Sequence, residues 1–332
     1  MKLPNIDRQM LLRFIAALLA MLLALALMVL IPLITHHPPE PERRFTEPRI
    51  TPSPAPVSTL EPMLIDMPDP NQPDQDAELQ SLLEKFIADN PGTWDIYVYN
   101  LTQGEYACCS TLENEPMVSA SLIKLFIMGA VFQRIQDGSF DYWSYVPSAR
   151  QMIVISDNYC ANWLILSLGE SSGDAGMEAV NDFARSIGCN HTSMNRTLLD
   201  LKSDQENYTT AEDVALFYKL LYRYELVSPQ YSSDMLDILK AQTLNDRIPA
   251  GLPKGVICAH KTGDLEHKCC ADAGLVFSDG GDYILSVINN GSEDDTQASA
   301  AIAELSALVY EYFNPSEHST ESPLESADPT EP

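Results

Sequence analysis

The sequence predicts an α+β fold: a five-stranded antiparallel sheet flanked by helices, with an all-helical lobe inserted between the two halves of the sheet, and one transmembrane helix ahead of it. Three observations predict this. Apolar residues alternate in two early and three late runs, while the stretches before, between and after them have helical spacing. Hairpin turns join the late runs, and Ser278-Asp279-Gly280-Gly281-Asp282 has the strongest turn composition. An apolar run without charge, residues 14–34, stands near the N-terminus.

Residues 1–13 carry Lys2, Arg8 and Arg13, which by the positive-inside rule keep this end in the cytoplasm. Arg43, Arg44 and Arg49 beyond the apolar run weaken that bias, although Glu40, Glu42 and Glu47 sit among them. As a helix, residues 14–34 rise about 30 Å, enough to cross the hydrocarbon core of a bilayer. A cleaved signal peptide is the rival reading. Its apolar core spans only about 7–15 residues and ends in small residues. This run is longer and ends in Pro-Leu-Ile-Thr-His-His-Pro-Pro, which favours an uncleaved signal anchor. Both readings place the rest of the chain outside the cytoplasm. No Cys follows closely, which argues against a lipoprotein. Residues 35–75 hold 11 of the chain's 23 prolines and read as an extended linker.

The folded domain is expected at residues 76–313. Leu79, Leu82, Leu83, Phe86 and Ile87 have helical spacing, and Pro91-Gly92 stops that helix. Trp94 to Leu101 alternates as a strand, and Thr102-Gln103-Gly104 turns it into a second, Glu105 to Leu112. Ser119 to Ile135 reads as one strongly apolar helix closed by Asp137-Gly138, and further helices run to about Leu239. Val256 to Thr262, Ala271 to Phe277 and Tyr283 to Asn289 read as strands, and Gln297 to Phe313 as a final amphipathic helix. Residues 314–332 have five acidic residues and no Lys or Arg, the composition of a solvating, disordered tail.

A formal net charge of −27 sets the chain against nucleic acid and anionic lipid surfaces as partners. There is no glycine-rich phosphate loop, and no cofactor is expected. His260, His267, Cys269 and Cys270 crowd one hairpin, but their spacing fits no standard zinc pattern and strand residues alternate faces, so no metal site is expected. The seven cysteines would lie where disulfides are permitted. Their odd number leaves at least one unpaired within the chain, and Cys258 and Cys270 are candidates to face each other across the hairpin. Buried cysteines acting as small hydrophobes are the equal alternative. Nothing in the sequence argues against a monomer.

Three short motifs carry chemistry. In Ser121-Leu122-Ile123-Lys124, a spacing of three puts a hydroxyl and an amine on one helical face. A serine needs a base to take its proton, and a lysine serves once burial lowers its pKa. Ser156-Asp157-Asn158 and Lys261-Thr262-Gly263 follow. Taken singly, these are a helix cap with a surface lysine, a polar helix start and a strand end. In this order, however, Ser-x-x-Lys, Ser-Asp-Asn and Lys-Thr-Gly mark class A β-lactamases and penicillin-binding proteins. From about Trp94 to Phe313 the chain resembles that serine-hydrolase superfamily, and the class A branch most closely. The segments Gly129 to Ile135, Asn245 to Pro253 and Ala259 to Gly263 also look like that branch.

The resemblance implies a β-lactamase/DD-peptidase-like fold and assigns roles. Ser121 would attack a β-lactam carbonyl, or the peptide carbonyl of a peptidoglycan stem ending in D-alanine. Lys124 would accept or relay its proton, and Ser156 would pass a proton to the departing nitrogen. Asn158 would position Lys124 and the substrate. Lys261, Thr262 and Gly263 would line the substrate-binding strand, with the substrate carboxylate on Lys261 and Thr262. Arg247 stands where some class A enzymes keep a carboxylate-binding arginine. The backbone N–H groups of Ser121 and Asp264 would hold the oxyanion.

Three departures from the family pattern stand beside these agreements. Aligning Thr192 to Thr197 with the loop that carries the deacylating glutamate puts Leu198 in the glutamate's place, with Asp200 and Glu206 as the possible stand-in bases. The helical segment between Ser121 and Ser156 looks shortened. Asp264 puts a negative charge where a small residue is usual. Three readings follow: a working β-lactamase using Asp200 or Glu206, a penicillin-binding enzyme of slow turnover, or a non-catalytic module that binds the cell wall.

Overall fold

The computed structural model describes residues 75–315, apart from 113, 114, 201 and 293. The expected membrane helix, nearly all of the linker and all but two residues of the acidic tail lie outside the described residues. Among the described residues, no helix is long and apolar enough to cross a membrane.

Helix α1, Ala77–Asp89, opens the domain. Asp76 caps it by accepting from the N–H groups of Glu78 and Leu79, both at 3.0 Å. Gly92 then turns the chain at φ +123°, where a Cβ would collide with Asn289. Strands β1, Thr93–Asn100, and β2, Tyr106–Ser110, form the first hairpin. The short strand β3, Met117–Val118, pairs with β4, Tyr208–Thr209, and so brings the later loop back beside Ser121.

The single helix expected from Ser119 is two. A 3-10 turn, Ala120–Ile123, precedes α2, Lys124–Gln136, because Ala120 takes a left-handed backbone (φ +43°) that no α-helical start allows. The lobe continues with α3, Tyr142–Val154, α4, Asn158–Leu168, and α5, Gly173–Ser186. Then come α6, Ala211–Tyr222, and α7, Pro229–Lys240. Strands β5, Ile257–Leu265, β6, Cys269–Phe277, and β7, Tyr283–Asn290, complete the sheet, and α8, Asp295–Phe313, ends the domain.

All five long strands run antiparallel in the order β2-β1-β7-β6-β5. Period-2 alternation divides them between two cores. Trp94, Ile96 and Val98 of β1 face Leu79, Leu83 and Phe86 of α1 and Ile302, Leu305 and Val309 of α8. Tyr97 and Tyr99 face the larger core, built on α2, α6 and the lobe. Helix α2 is buried on every side from Lys124 to Phe132, so it is the central rod of that core. Each of its large apolar side chains contributes roughly 1.5–3 kcal/mol through burial. This same packing keeps the Lys124 side chain out of water.

Register corrects the expected pairing of Cys258 with Cys270. Cys258 lies opposite Val276 and Cys270 opposite Asp264, about 20 Å apart along β5, far beyond disulfide reach. All seven cysteines are free thiols.

Candidate active site

Strand β5 is an edge of the sheet, and its end lies against the 3-10 turn that carries Ser121. Gly263 permits that approach, since a Cβ there would meet the Ser119 carbonyl oxygen at 3.1 Å and Leu122 Cγ at 3.2 Å. Lys124 begins α2 one turn after Ser121. Its Nζ donates to Ser156 Oγ at 3.0 Å, to the Ser156 carbonyl oxygen at 2.6 Å and to Asn158 Oδ1 at 2.7 Å. From the other side, Lys261 Nζ donates to the same Ser156 Oγ at 3.0 Å and to the Thr262 carbonyl oxygen at 2.7 Å. Ser156 takes a left-handed backbone (φ +58°) immediately before Asp157, which caps α4. That conformation costs about 1–2 kcal/mol for an L-residue. It aims both the carbonyl and the hydroxyl of Ser156 at Lys124.

Burial dominates the electrostatics of this corner. It lowers the Lys124 amine to about 7, against a smaller opposing pull from Asp157. Burial also pushes Lys261 well below its ordinary value, helped by the charge of Lys124. The two amines therefore titrate as a coupled pair around one hydroxyl. Thr262 Oγ1 is buried and without a hydrogen-bond partner among the described residues.

Ser121 lines a cavity of about 90 Å3 together with Asn158, Leu198, Glu206, Asn207 and Asp264. Asn162, one helical turn after Asn158, clamps the loop that forms the far wall. Its amide donates to the Leu198 carbonyl oxygen at 2.5 Å and accepts from the Leu198 N–H at 2.8 Å. Leu198 is thus held against the cavity, 7% exposed. Asn207 braces the same wall, accepting from the N–H groups of Asn195 and Arg196 at 2.8 and 3.0 Å. Its carbonyl oxygen accepts the Ser119 N–H at 2.8 Å. Sequence reasoning assigned neither asparagine a role. The spacing of four between Asn158 and Asn162 was the available signal for the first, and nothing local marked the second.

The remaining predicted residues sit differently from expectation. Arg247 does not reach into the cavity. It is 4% exposed, bonded through two nitrogens to the Asp264 carboxylate, and it donates to the Ala271 carbonyl oxygen at 3.0 Å. The charge of Asp264 is therefore answered from inside the domain. Glu206 lines the cavity but is bound by Arg196 at 2.7 Å and Lys268 at 2.6 Å. Burial alone would raise its carboxyl, but hydrogen bonds from Lys268 and Arg196 outweigh this and hold it below its ordinary value. Asp200 does not line the cavity. It is exposed and accepts from the Lys202 N–H at 3.2 Å. Neither carboxylate is placed as the free base that the sequence left open.

Behind Lys261, His260 and Asp272 form a buried pair at 2.9 Å, and Asp272 also accepts the Ile248 N–H at 3.0 Å. His260 is thus consumed by a structural contact. Among the described residues, no cluster of His, Cys, Asp or Glu is arranged to hold a metal ion.

The beta-lactamase enzyme family matches residues 77–147 and 142–313, which takes in every motif of this site. The chain belongs to that family. Beta-lactamase FAR-1 of Nocardia farcinica is 28% identical over 164 residues, 47% of this chain and 50% of the relative. The chain thus spans about half the length of that curated relative. The structure of PBP-A is 26% identical, covers 73% of this chain and 98% of its own, and superposes with a TM-score of 0.63. A leucine-to-glutamate variant of PBP-A, an acyl-enzyme complex with penicillin G, has a TM-score of 0.64. A class A β-lactamase from Bacteroides cellulosilyticus, at 22% identity over 72% of this chain and 98% of its own (TM-score 0.63), shares the fold.

Proposed function

We propose that Ser121 is the nucleophile of a penicillin-recognising serine hydrolase that acylates readily and deacylates slowly. The observation that carries this reading is the position of Ser156 Oγ between two lysine amines. A hydroxyl has two acceptor lone pairs and one proton. Both lone pairs are used by Lys124 and Lys261, so the proton is free to donate toward the cavity, where the nitrogen of an opened lactam would leave. Neutral above about pH 7, Lys124 keeps two N–H donors, so one of its three hydrogen bonds gives way and its lone pair takes the Ser121 proton as Oγ attacks the carbonyl and the C–N bond breaks. The proton reaches the nitrogen through Ser156. An anionic substrate draws Lys261 toward its charged form and offers a partner to the free Thr262 hydroxyl.

The cavity is smaller than the roughly 300 Å3 typical of small-molecule sites. A β-lactam, or a peptidoglycan stem peptide, therefore extends out of it along the β5 edge. Slow deacylation follows from the wall opposite: Leu198 offers no base for water, and Glu206 is held by two cations. The acyl-enzyme of PBP-A with penicillin G supports the reading by likeness. Membrane anchorage through residues 14–34, with the domain extracytoplasmic, belongs to the same proposal and rests on the sequence.

Intact-mass spectrometry of the full-length chain with penicillin G, run beside a chromogenic cephalosporin assay, tests this. A persistent adduct that disappears in Ser121→Ala is the expected result. Rapid continuous colour would replace it with the working β-lactamase, and neither adduct nor colour would leave only a binding module.

A further inference from the structure

A larger cavity, about 490 Å3, is lined by residues of α6, β1 and β2, and its lining shares no residue with that of the Ser121 cavity. Its floor is aromatic. Tyr97 and Tyr99, two apart on β1, point to one face, and Tyr106 of β2 lies opposite Tyr99 in register. Tyr97 and Tyr106 stack with ring centroids 5.9 Å apart. The wall is α6 with its C-cap, where Leu216, Lys219 and the capping Arg223 form a stripe at spacings of three and four.

The cations on that wall lack partners. The chain has 47 acidic and 20 basic residues, so carboxylates are plentiful, yet neither Lys219 nor Arg223 is in an ion pair among the described residues. Lys219 Nζ instead sits over the Tyr99 ring, 4.2 Å from its centroid. Burial, and then the charge of Arg223, lower this amine to about 8. Two cations facing one cavity repel each other, and an anion between them removes that cost. Of the two carboxylates that line the cavity, Asp213 already accepts from the His191 N–H and from Thr192 Oγ1, both at 2.8 Å, whereas Glu212 is exposed to solvent and stands on the tyrosine side, so an anion is drawn to the Lys219 and Arg223 end.

We propose that this cavity is a second, non-catalytic binding site for small amphipathic anions, a carboxylate or phosphate carried on an apolar or sugar ring, with the acid group between Lys219 and Arg223 and the ring against Tyr97 and Tyr106. The volume fits the range of roughly 300–1,000 Å3 for small-molecule sites. Tyrosine faces supply the ring contact, and the paired cations supply charge-assisted hydrogen bonds.

The test follows acetylation of Lys219 in the full-length protein by peptide mass spectrometry, with phenyl phosphate as the probe. Phenyl phosphate at ten times its Kd should slow Lys219 modification about tenfold, while inorganic phosphate and benzyl alcohol protect far less. The apparent Kd should rise at least about tenfold in Arg223→Gln, leaving about twofold protection at the same concentration, and protection should also fall in Tyr106→Leu, with Lys219 still present as the reporter. Ser121→Ala should keep it, separating this cavity from the catalytic one. Equal protection by inorganic phosphate would overturn the amphipathic ligand class. No protection by phenyl phosphate up to its solubility limit, or loss of protection in Ser121→Ala, would overturn the site.

Discussion

The two walls of the Ser121 cavity are built on opposite principles. On the side of α2, α4 and β5, Asn158 lines the cavity and ties it to a dry corner where two amines and one hydroxyl share hydrogen bonds. On the side of the 192–207 loop, the cavity is lined by Leu198 and Leu199 with Arg196, Glu206 and Asn207, and the one carboxylate among them is neutralised by an arginine and a lysine. Under the proposed function, the first wall moves a proton from an attacking hydroxyl to a leaving nitrogen, and the second offers no base to take a proton from water. The two half-reactions of a hydrolase thus depend on separate structural units, and one can be kept without the other.

The sharpest way to break this comparison is to remove the base from the polar wall. Lys124→Met should slow acylation of Ser121 by penicillin about 100- to 10,000-fold, the usual contribution of a general base, read as the rate of adduct appearance by mass spectrometry. Circular dichroism should show the variant folded, because the substitution puts an apolar chain in an apolar helix.

The leucine wall can be rebuilt in turn. Leu198→Glu should shorten the adduct lifetime by about 100-fold or more, since Asn162 clamps the backbone of residue 198 whatever its side chain. An unchanged lifetime would show that residue 198 does not face the acyl carbonyl.

A smaller effect distinguishes the walls by pH. Lys124 works as a base only when neutral, and burial lowers it to about 7. The acylation rate should therefore fall about tenfold per unit below pH 7 and flatten above it. Deacylation on the leucine wall has no such base, so the adduct lifetime should not share that midpoint. The smallest effect belongs to Glu206→Gln, which should leave the adduct lifetime within about twofold, because its carboxylate serves Arg196 and Lys268. A large change would make Glu206 the deacylating base after all.

Much of this was readable in the chain. The strands could be placed within a few residues because alternation and turn composition are local properties, as at Tyr283–Asn290. The order of the Ser121, Ser156 and Lys261 motifs alone points to one site. The break at the start of the helix expected from Ser119 is not legible in the chain, because a left-handed alanine has no sequence signature. Arg247 was assigned to the substrate because fourteen residues of spacing say nothing about which way a guanidinium turns, and a carboxylate at position 264 captured it.

What the sequence determined by itself was the set of chemical groups and the local elements that carry them: a serine hydroxyl one turn from an amine, a leucine at position 198, strands of period two. Only the tertiary structure decided which groups are available. Burial on all sides of α2 lowered the Lys124 amine, two distant cations closed off Glu206, and Asp264 turned Arg247 inward. Reactivity depends on desolvation and on the nearest opposite charge, and both are set by residues far apart in the chain.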